Sequence, residues 1–313
     1  MSLRHNSGAF FKKLCRSKST LLAFAVVMLY VVTAIGFEIY SVACQYSKKT
    51  PVYAVEHTGE IFAPPSTKHW LGTDYLGRDC FFRAAGSIAT AVKVGVTASV
   101  IAAVIGVSLG LLSGYYGGKT DSVIMWLYST FAAMPTLLFI LAFALLFTKD
   151  YLAQELVMPL KVCAKMLNTE PGMLAVYLAI GLTGWVSLCR VTRAETMKLK
   201  NHTFVQAAKV SGVSNKVIIF KHILPNIMHL VIIYFTLRFA YAVMTEVLVS
   251  YLGLGVQNAP SWGIMISDGQ ERLWRGVWWE AAAASGFMFI LVLSLNLLGD
   301  GLRDIFDPKN ESR

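Results

Sequence analysis

The sequence predicts an all-α, polytopic membrane protein with six transmembrane helices and both termini on the cytoplasmic side. Three observations predict it. The 313 residues are 56% hydrophobic and only 15% charged, with a mean hydropathy of +0.57, well outside the soluble norm. Six apolar runs approach the roughly 20 residues that span about 30 Å of hydrocarbon at 1.5 Å per residue. Lys and Arg lie unevenly between the loops on the two sides. A net charge of +10 could suggest nucleic acid, but the basic residues sit in short segments between apolar runs rather than on one face, so no nucleic-acid partner is expected.

In chain order, residues 1–20 form a basic N-terminal segment. Within it Ala9-Phe-Phe-Lys-Lys-Leu-Cys-Arg-Ser-Lys18 mixes aromatic and basic residues, as an interfacial helix on the inner leaflet would; a disordered basic tail is the other reading. The first span is 21–44. Its apolar core is too long for a signal peptide, and Ser41-Val-Ala-Cys44 only faintly resembles a lipoprotein cleavage site, so an uncleaved anchor is expected. An external loop covers 45–93. Lys93, near the outer end of the second span, is expected to snorkel to the interface.

The second span is 94–112. Gly106, Gly110 and Gly114 recur every four residues and line one face near its end, which lets helix backbones approach closely. They read either as contact with a partner membrane subunit or moving helix, or as internal packing. Gly114-Tyr-Tyr-Gly-Gly-Lys-Thr120 ends like a phosphate-binding loop, but Ser113 stands where the first Gly is needed and a transmembrane helix precedes it. A tight turn using glycine's freedom at positive φ is expected instead.

The third span is 122–147, followed by an external loop over 148–172, and the fourth is 174–189. An inner loop covers 190–226, the fifth span 227–250, the sixth 281–298, and a tail follows from 301 to 313. With the N-terminus inside, the inner segments carry about 16 of the 28 Lys and Arg and the outer ones about 11, which sets the orientation. The five cysteines, Cys15, Cys44, Cys80, Cys163 and Cys189, lack metal-ligand spacing and read as unpaired; a Cys44–Cys80 bridge across one external loop is the alternative. Histidines are dispersed, and no metal site, Ser/His/Asp set or nucleotide fingerprint is present, so chemistry on a substrate is not expected.

The loop 190–226 is too long for a plain turn. Thr203-Phe-Val-Gln206 reads as a capping box, with Thr203 at the N-cap and Gln206 reaching back to its backbone N–H. Ala207 and Ala208 offer small side chains for close packing, and Gly212 is placed to end the helix in the left-handed conformation. Ser214 can cap a second short helix carrying Val217, Ile218, Phe220 and Ile223, which must stop or kink near Leu224-Pro225. Helices this short need something to pack against, and a second protein would serve.

Gln206-Ala-Ala-Lys-Val-Ser-Gly212 followed by Leu224-Pro225 resembles the Glu-Ala-Ala coupling loop of ABC importer permeases. His69-Trp-Leu-Gly-Thr-Asp-Tyr-Leu-Gly-Arg-Asp79, Tyr251-Leu-Gly-Leu-Gly-Val-Gln257 with Pro260-Ser-Trp-Gly263, and Leu298-Gly-Asp-Gly-Leu-Arg-Asp304 with Asp307-Pro308 narrow the resemblance to the C-type subunit of dipeptide and oligopeptide permeases. The resemblance implies the type I ABC importer (MetI-like) permease fold in the cell inner (plasma) membrane. It also implies a homologous permease as partner, two cytoplasmic ABC ATPases, and an external binding protein that delivers a peptide. Thr203, Gln206, Ala207, Ala208, Gly212, Leu224 and Pro225 would be the ATPase-coupling residues. This chain would bind no cofactor itself, ATP and Mg sitting on the ATPases. Gln206 departs from the family's Glu, keeping a capping hydrogen bond but losing any salt bridge to the ATPase, so coupling is expected to be weakened rather than abolished.

Arg238 and Glu246 fall in the fifth span, eight residues apart and roughly on one face. Charges in hydrocarbon usually face a cavity or a partner. Glu246 matches an acidic position in the family. Arg238 reads as a contact for a peptide carboxylate in the pathway, or as a snorkelling or structurally paired cation. Relatives also import nickel, oligosaccharides or antimicrobial peptides, which leaves the cargo open. A secondary transporter would need its own coupling-ion site, and a membrane enzyme a catalytic set.

Overall fold

The computed structural model describes residues 17–148, 158, 162–165, 168–169, 171–255 and 259–306. The N-terminal segment 1–16, most of the loop 148–172, Gln257 and Asp307-Pro308 lie outside the described residues. Among the described residues the chain is all-α and holds no strand. Five of these described helices are long and apolar enough to cross a membrane, and one sharply bent helix pair is apolar enough to form either a broken sixth span or a re-entrant loop.

Helix α1, Lys18–Tyr46, starts where the Ser17 hydroxyl accepts from Thr20 N–H. Its outer face exposes Leu22, Leu29, Val32 and Ile39, as a lipid-facing helix must. Its inner face meets the last helix, where Tyr30 Oη donates to the Phe287 carbonyl at 3.0 Å. Helix α2, Cys80–Tyr116, has 37 residues, about 55 Å at 1.5 Å per residue, and so exceeds the hydrocarbon thickness. Asp79 begins it by accepting from Phe81 and Phe82 N–H, inside the stretch read as loop 45–93. Gly117, at φ 68, ends it.

The third span, expected over 122–147, is two helices, α3 (Gly118–Ala133) and α4 (Thr136–Thr148), bent by 85°. The cause is local. Pro135 cannot donate to a helical carbonyl and pushes the preceding residue out of the helical region, and Met134 is extended at φ −80, ψ 135. The other spans outrun their apolar runs. Helix α5 is Pro171–Lys200, α7 is continuous over Asn215–Tyr251, and α9 is Trp279–Phe306. Between these long helices lie two short ones, α6 (Thr203–Val210) and α8 (Trp262–Gln270).

The centre of the fold is the α2–α5 pair, and the glycine stripe explains it. A Cβ at Gly106 would stand 2.8 Å from the Trp185 carbonyl, at Gly110 2.8 Å from that of Cys189, and at Gly114 2.6 Å from that of Arg193. The stripe therefore faces α5 of the same chain. Lys93 does not snorkel. Its Nζ lies 2.6 Å from Glu38 of α1 and 3.1 Å from the Asn168 carbonyl, since a carboxylate in reach of a half-buried ammonium satisfies it better than the interface does. Cys44 and Cys80 are buried and unbridged.

Candidate functional site

Between α5 and α7 the chain turns back through α6 at one end of the bundle. Helix α5 ends at Lys200, and two turn residues later α6 begins, with His202 rather than Thr203 at its N-cap. The expected capping box does not form. The His202 carbonyl already accepts from Val205 and Gln206 N–H at 3.0 and 3.1 Å, which moves Thr203 to the first helical position and Gln206 one step beyond N3. The Gln206 amide instead donates from Nε2 to the Lys200 carbonyl at 2.9 Å, satisfying an orphan carbonyl at the end of α5. A glutamate carboxylate could not make this bond, because it has no proton to give.

The far end of α6 matches expectation. Gly212 sits at φ +75, its N–H bonds the Lys209 carbonyl at 3.0 Å, and Val213 N–H bonds the Ala208 carbonyl at 3.1 Å, the hydrogen-bond pair that closes a helix around a left-handed residue. The chain then re-enters a helix at Asn215 behind Ser214, whose hydroxyl makes no cap bond.

This second helix does not stop at Pro225. Residues Ile218–Ile223 form a wide π turn, in which Leu224 N–H reaches back to the Ile219 carbonyl. Widening the turn absorbs the missing proline donor and its ring, so the helix passes through into the fifth span. The two short helices read from the sequence are one short helix and the leading end of a long one.

The element rests on apolar contacts. Val205, Ala208, Ile218, Ile219, Ile223 and Ile227 bury against Leu111 and Tyr115 at the end of α2. The Tyr115 hydroxyl donates to Asn215 Oδ1 at 2.7 Å, and the Lys209 ammonium lies 5.2 Å from its ring centre. Of the predicted coupling residues, Ala208 faces inward, Leu224 is half-buried, and Thr203, Gln206, Ala207, Gly212 and Pro225 are exposed. Beside them Phe204, Val210 and Phe220 present apolar area to the outside, Val210 being 88% exposed. A second tie the sequence reading missed braces the same end. Arg193 of α5 holds Asp121 of α3 through two bonds of 2.6 and 2.7 Å, and Ser113 of α2 donates to that carboxylate.

At the opposite end is a buried charge cluster, also missed. Arg83 of α2 binds Asp74 at 2.6 Å and Glu280 of α9 at 2.8 Å. Arg78 binds Asp74 at 2.7 Å, and Arg272 binds Glu280 at 3.3 Å and the Asp268 carbonyl at 2.6 Å. Burial lowers the Arg78 pKa, but the bond to Asp74 and its charge outweigh that and leave it raised. Three arginines face Asp74, Glu280 and Asp268, so the cluster is balanced. The remaining carboxylate capacity of Asp74 takes the N–H groups of Leu76 and Arg78. Trp279 and Trp262 finish the clamp, their ring N–H groups bonding the Thr73 and Ala84 carbonyls, both at 2.9 Å. Two of the segments singled out by motif, His69–Asp79 and the residues around Trp262, are thus joined to the same helix. The signal was available as Asp74, Arg78 and Arg83 spaced four and five apart, but their partners Asp268, Arg272 and Glu280 are nearly 200 residues away.

The charged pair of the fifth span separates. Glu246 is buried and accepts from Ser250 at 2.7 Å and Ser261 at 2.9 Å, pinning α8 to α7. Arg238 faces α5. Among the described residues no group of three or more His, Cys, Asp or Glu could hold a metal ion.

The chain matches, over residues 106–312, the family model described as binding-protein-dependent transport system inner membrane component. It is 33% identical to the oligopeptide transport system permease protein OppC of Bacillus subtilis, over 94% of this chain and 86% of that protein. The dipeptide transport system permease protein DppC of the same organism is 36% identical over 79% of this chain and 70% of its own length. OppC of Escherichia coli strain K12 is 35% identical over 77% and 73%.

Proposed function

The chain belongs to the family of binding-protein-dependent transport system inner membrane components, and from that premise we propose that it is the membrane-spanning permease subunit of an ATP-driven peptide importer. The peptide cargo is carried over from relatives named for oligopeptide and dipeptide transport. The observation that carries the coupling role is the element over 201–225, a short helix and a helical lead-in with an apolar seat on α2 and an exposed outer surface of Phe204, Val210 and Phe220.

In this reading a homologous permease completes the pathway, two cytoplasmic ATPases grip the coupling elements, and an external binding protein delivers the peptide. ATP and Mg sit on the ATPases, and this chain is not an enzyme. Both termini and the coupling element lie on the cytoplasmic side. Closure of the ATPases displaces α6 and the π turn. Because α7 has no break between Asn215 and Tyr251, and Gln206 is bonded to the end of α5, that displacement reaches two spans at once and switches the pathway between outward-facing and inward-facing states.

Co-purification tests this. Gly212→Pro forces φ to about −65° where the chain needs a positive value. It should release the ATPases while leaving the homologous permease bound. A chain that purifies alone and transports without an ATPase would place it among secondary transporters instead.

A further inference from the structure

Resting on the peptide-importer reading, we infer that Arg238 is the docking point for the C-terminal carboxylate of the transported peptide.

The argument begins with where the charge is. Arg238 lies in the apolar run 227–250, about 17 Å along the helix from either end, farther than one side chain can snorkel. A cation at that depth needs an anion or a strong acceptor set. The chain supplies one to its other inward-facing cations: Arg83 holds Asp74 and Glu280, Arg193 holds Asp121, and Lys93 holds Glu38. Arg238 differs. Its described contacts are the Ile180 carbonyl at 3.4 Å and the ring of Tyr241, 4.7 Å from the guanidinium carbon. Its Nε is buried without a hydrogen-bond partner.

The guanidinium is nonetheless held in place. It occupies a notch at Gly184 of α5, where any Cβ would collide with it. Tyr241 walls the other side and is 44% exposed, on the same surface of α7 as the exposed Leu237 and Met244. A planar guanidinium that is only half-buried, fixed between a backbone carbonyl and an aromatic ring and with no anion among its described contacts, is suited to a carboxylate.

The test uses the reconstituted complete importer and compares uptake of one peptide with that of its C-terminally amidated form, in wild type, Arg238→Gln and Gly184→Ala. The binding protein is the same throughout, so its own preference cancels between variants. The wild type should favour the free carboxylate, and Arg238→Gln should cut that preference by about tenfold. Gly184→Ala keeps the charge but displaces it, and should cut the preference in the same direction. If Arg238 instead pairs with a carboxylate of the neighbouring permease, both peptides fall equally and the preference is unchanged, which overturns the inference. A wild type that takes up neither peptide overturns the peptide-importer reading itself.

Discussion

The charge cluster at one end of the bundle and the proposed coupling element at the other are held by opposite means. At one end Asp74, Arg78, Arg83, Asp268, Arg272 and Glu280 form a buried charge cluster that ties α2 to the segment before α9 and to α9 itself. At the other, the coupling element lies on an apolar seat, with few side-chain hydrogen bonds to the spans: Tyr115 to Asn215, and Gln206 to Lys200. The difference follows from what each interaction tolerates. A buried ionic network has one satisfied arrangement and is costly to open. An apolar contact is non-directional, and a helix can slide or tilt on it at small cost. The clamped end suits a fixed scaffold, and the greased end suits a moving handle.

The contrast can be broken most strongly at Arg83. Arg83→Met removes the cation that Asp74 and Glu280 share, leaving Asp74 to Arg78 and Glu280 to the longer contact with Arg272, and should cost up to about 3 to 5 kcal/mol; thermal inactivation of the purified complex should move to clearly lower temperature. Survival of wild-type thermal stability would show the cluster to be dispensable. Next in size is Gly110→Val, which drives a side chain into Cys189 and Thr192 of α5 and should cost about 1 to 3 kcal/mol by overpacking. Gly36→Ala, with nothing within 4 Å of its Cβ, serves as the control and should be silent in the same assay.

Smaller effects are expected in the handle. Gly212→Ala places a Cβ at φ +75 and should cost about 1 kcal/mol, with protease nicking in 201–215 rising before the spans are affected. Gln206→Glu supplies the residue of the coupling loop that this segment resembles, yet removes the donor that bonds the Lys200 carbonyl among the described residues. It should cost about 0.5 kcal/mol of local stability and lower transport per ATP hydrolysed. An unchanged coupling ratio would mean that the Gln206 bond transmits nothing.

Much of this architecture was legible in the residues. Apolar length located the spans, and Gly212 announced its left-handed turn because few other residues tolerate it. What the sequence could not show was set by distant partners. Thr203-Phe-Val-Gln206 has the spacing of a capping box, but the turn from α5 places His202 at the cap and hands the Gln206 amide to Lys200. Pro225 reads locally as a stop, and only the π turn before it lets the helix continue. Lys93 looked like a snorkelling cation because Glu38 lies on another helix. Pro135 is a local signal of a different kind: it stands inside a long apolar run and marks the 85° bend.

The most direct test of the account is a crosslink from the handle to the motor. A single cysteine at Val210, in an otherwise cysteine-free chain, should crosslink to the ATPase subunit, with a yield that changes when ATP is added, and should resist impermeant thiol reagents applied to intact cells. Labelling of that cysteine from outside the cell, with no crosslink to an ATPase, would contradict the account.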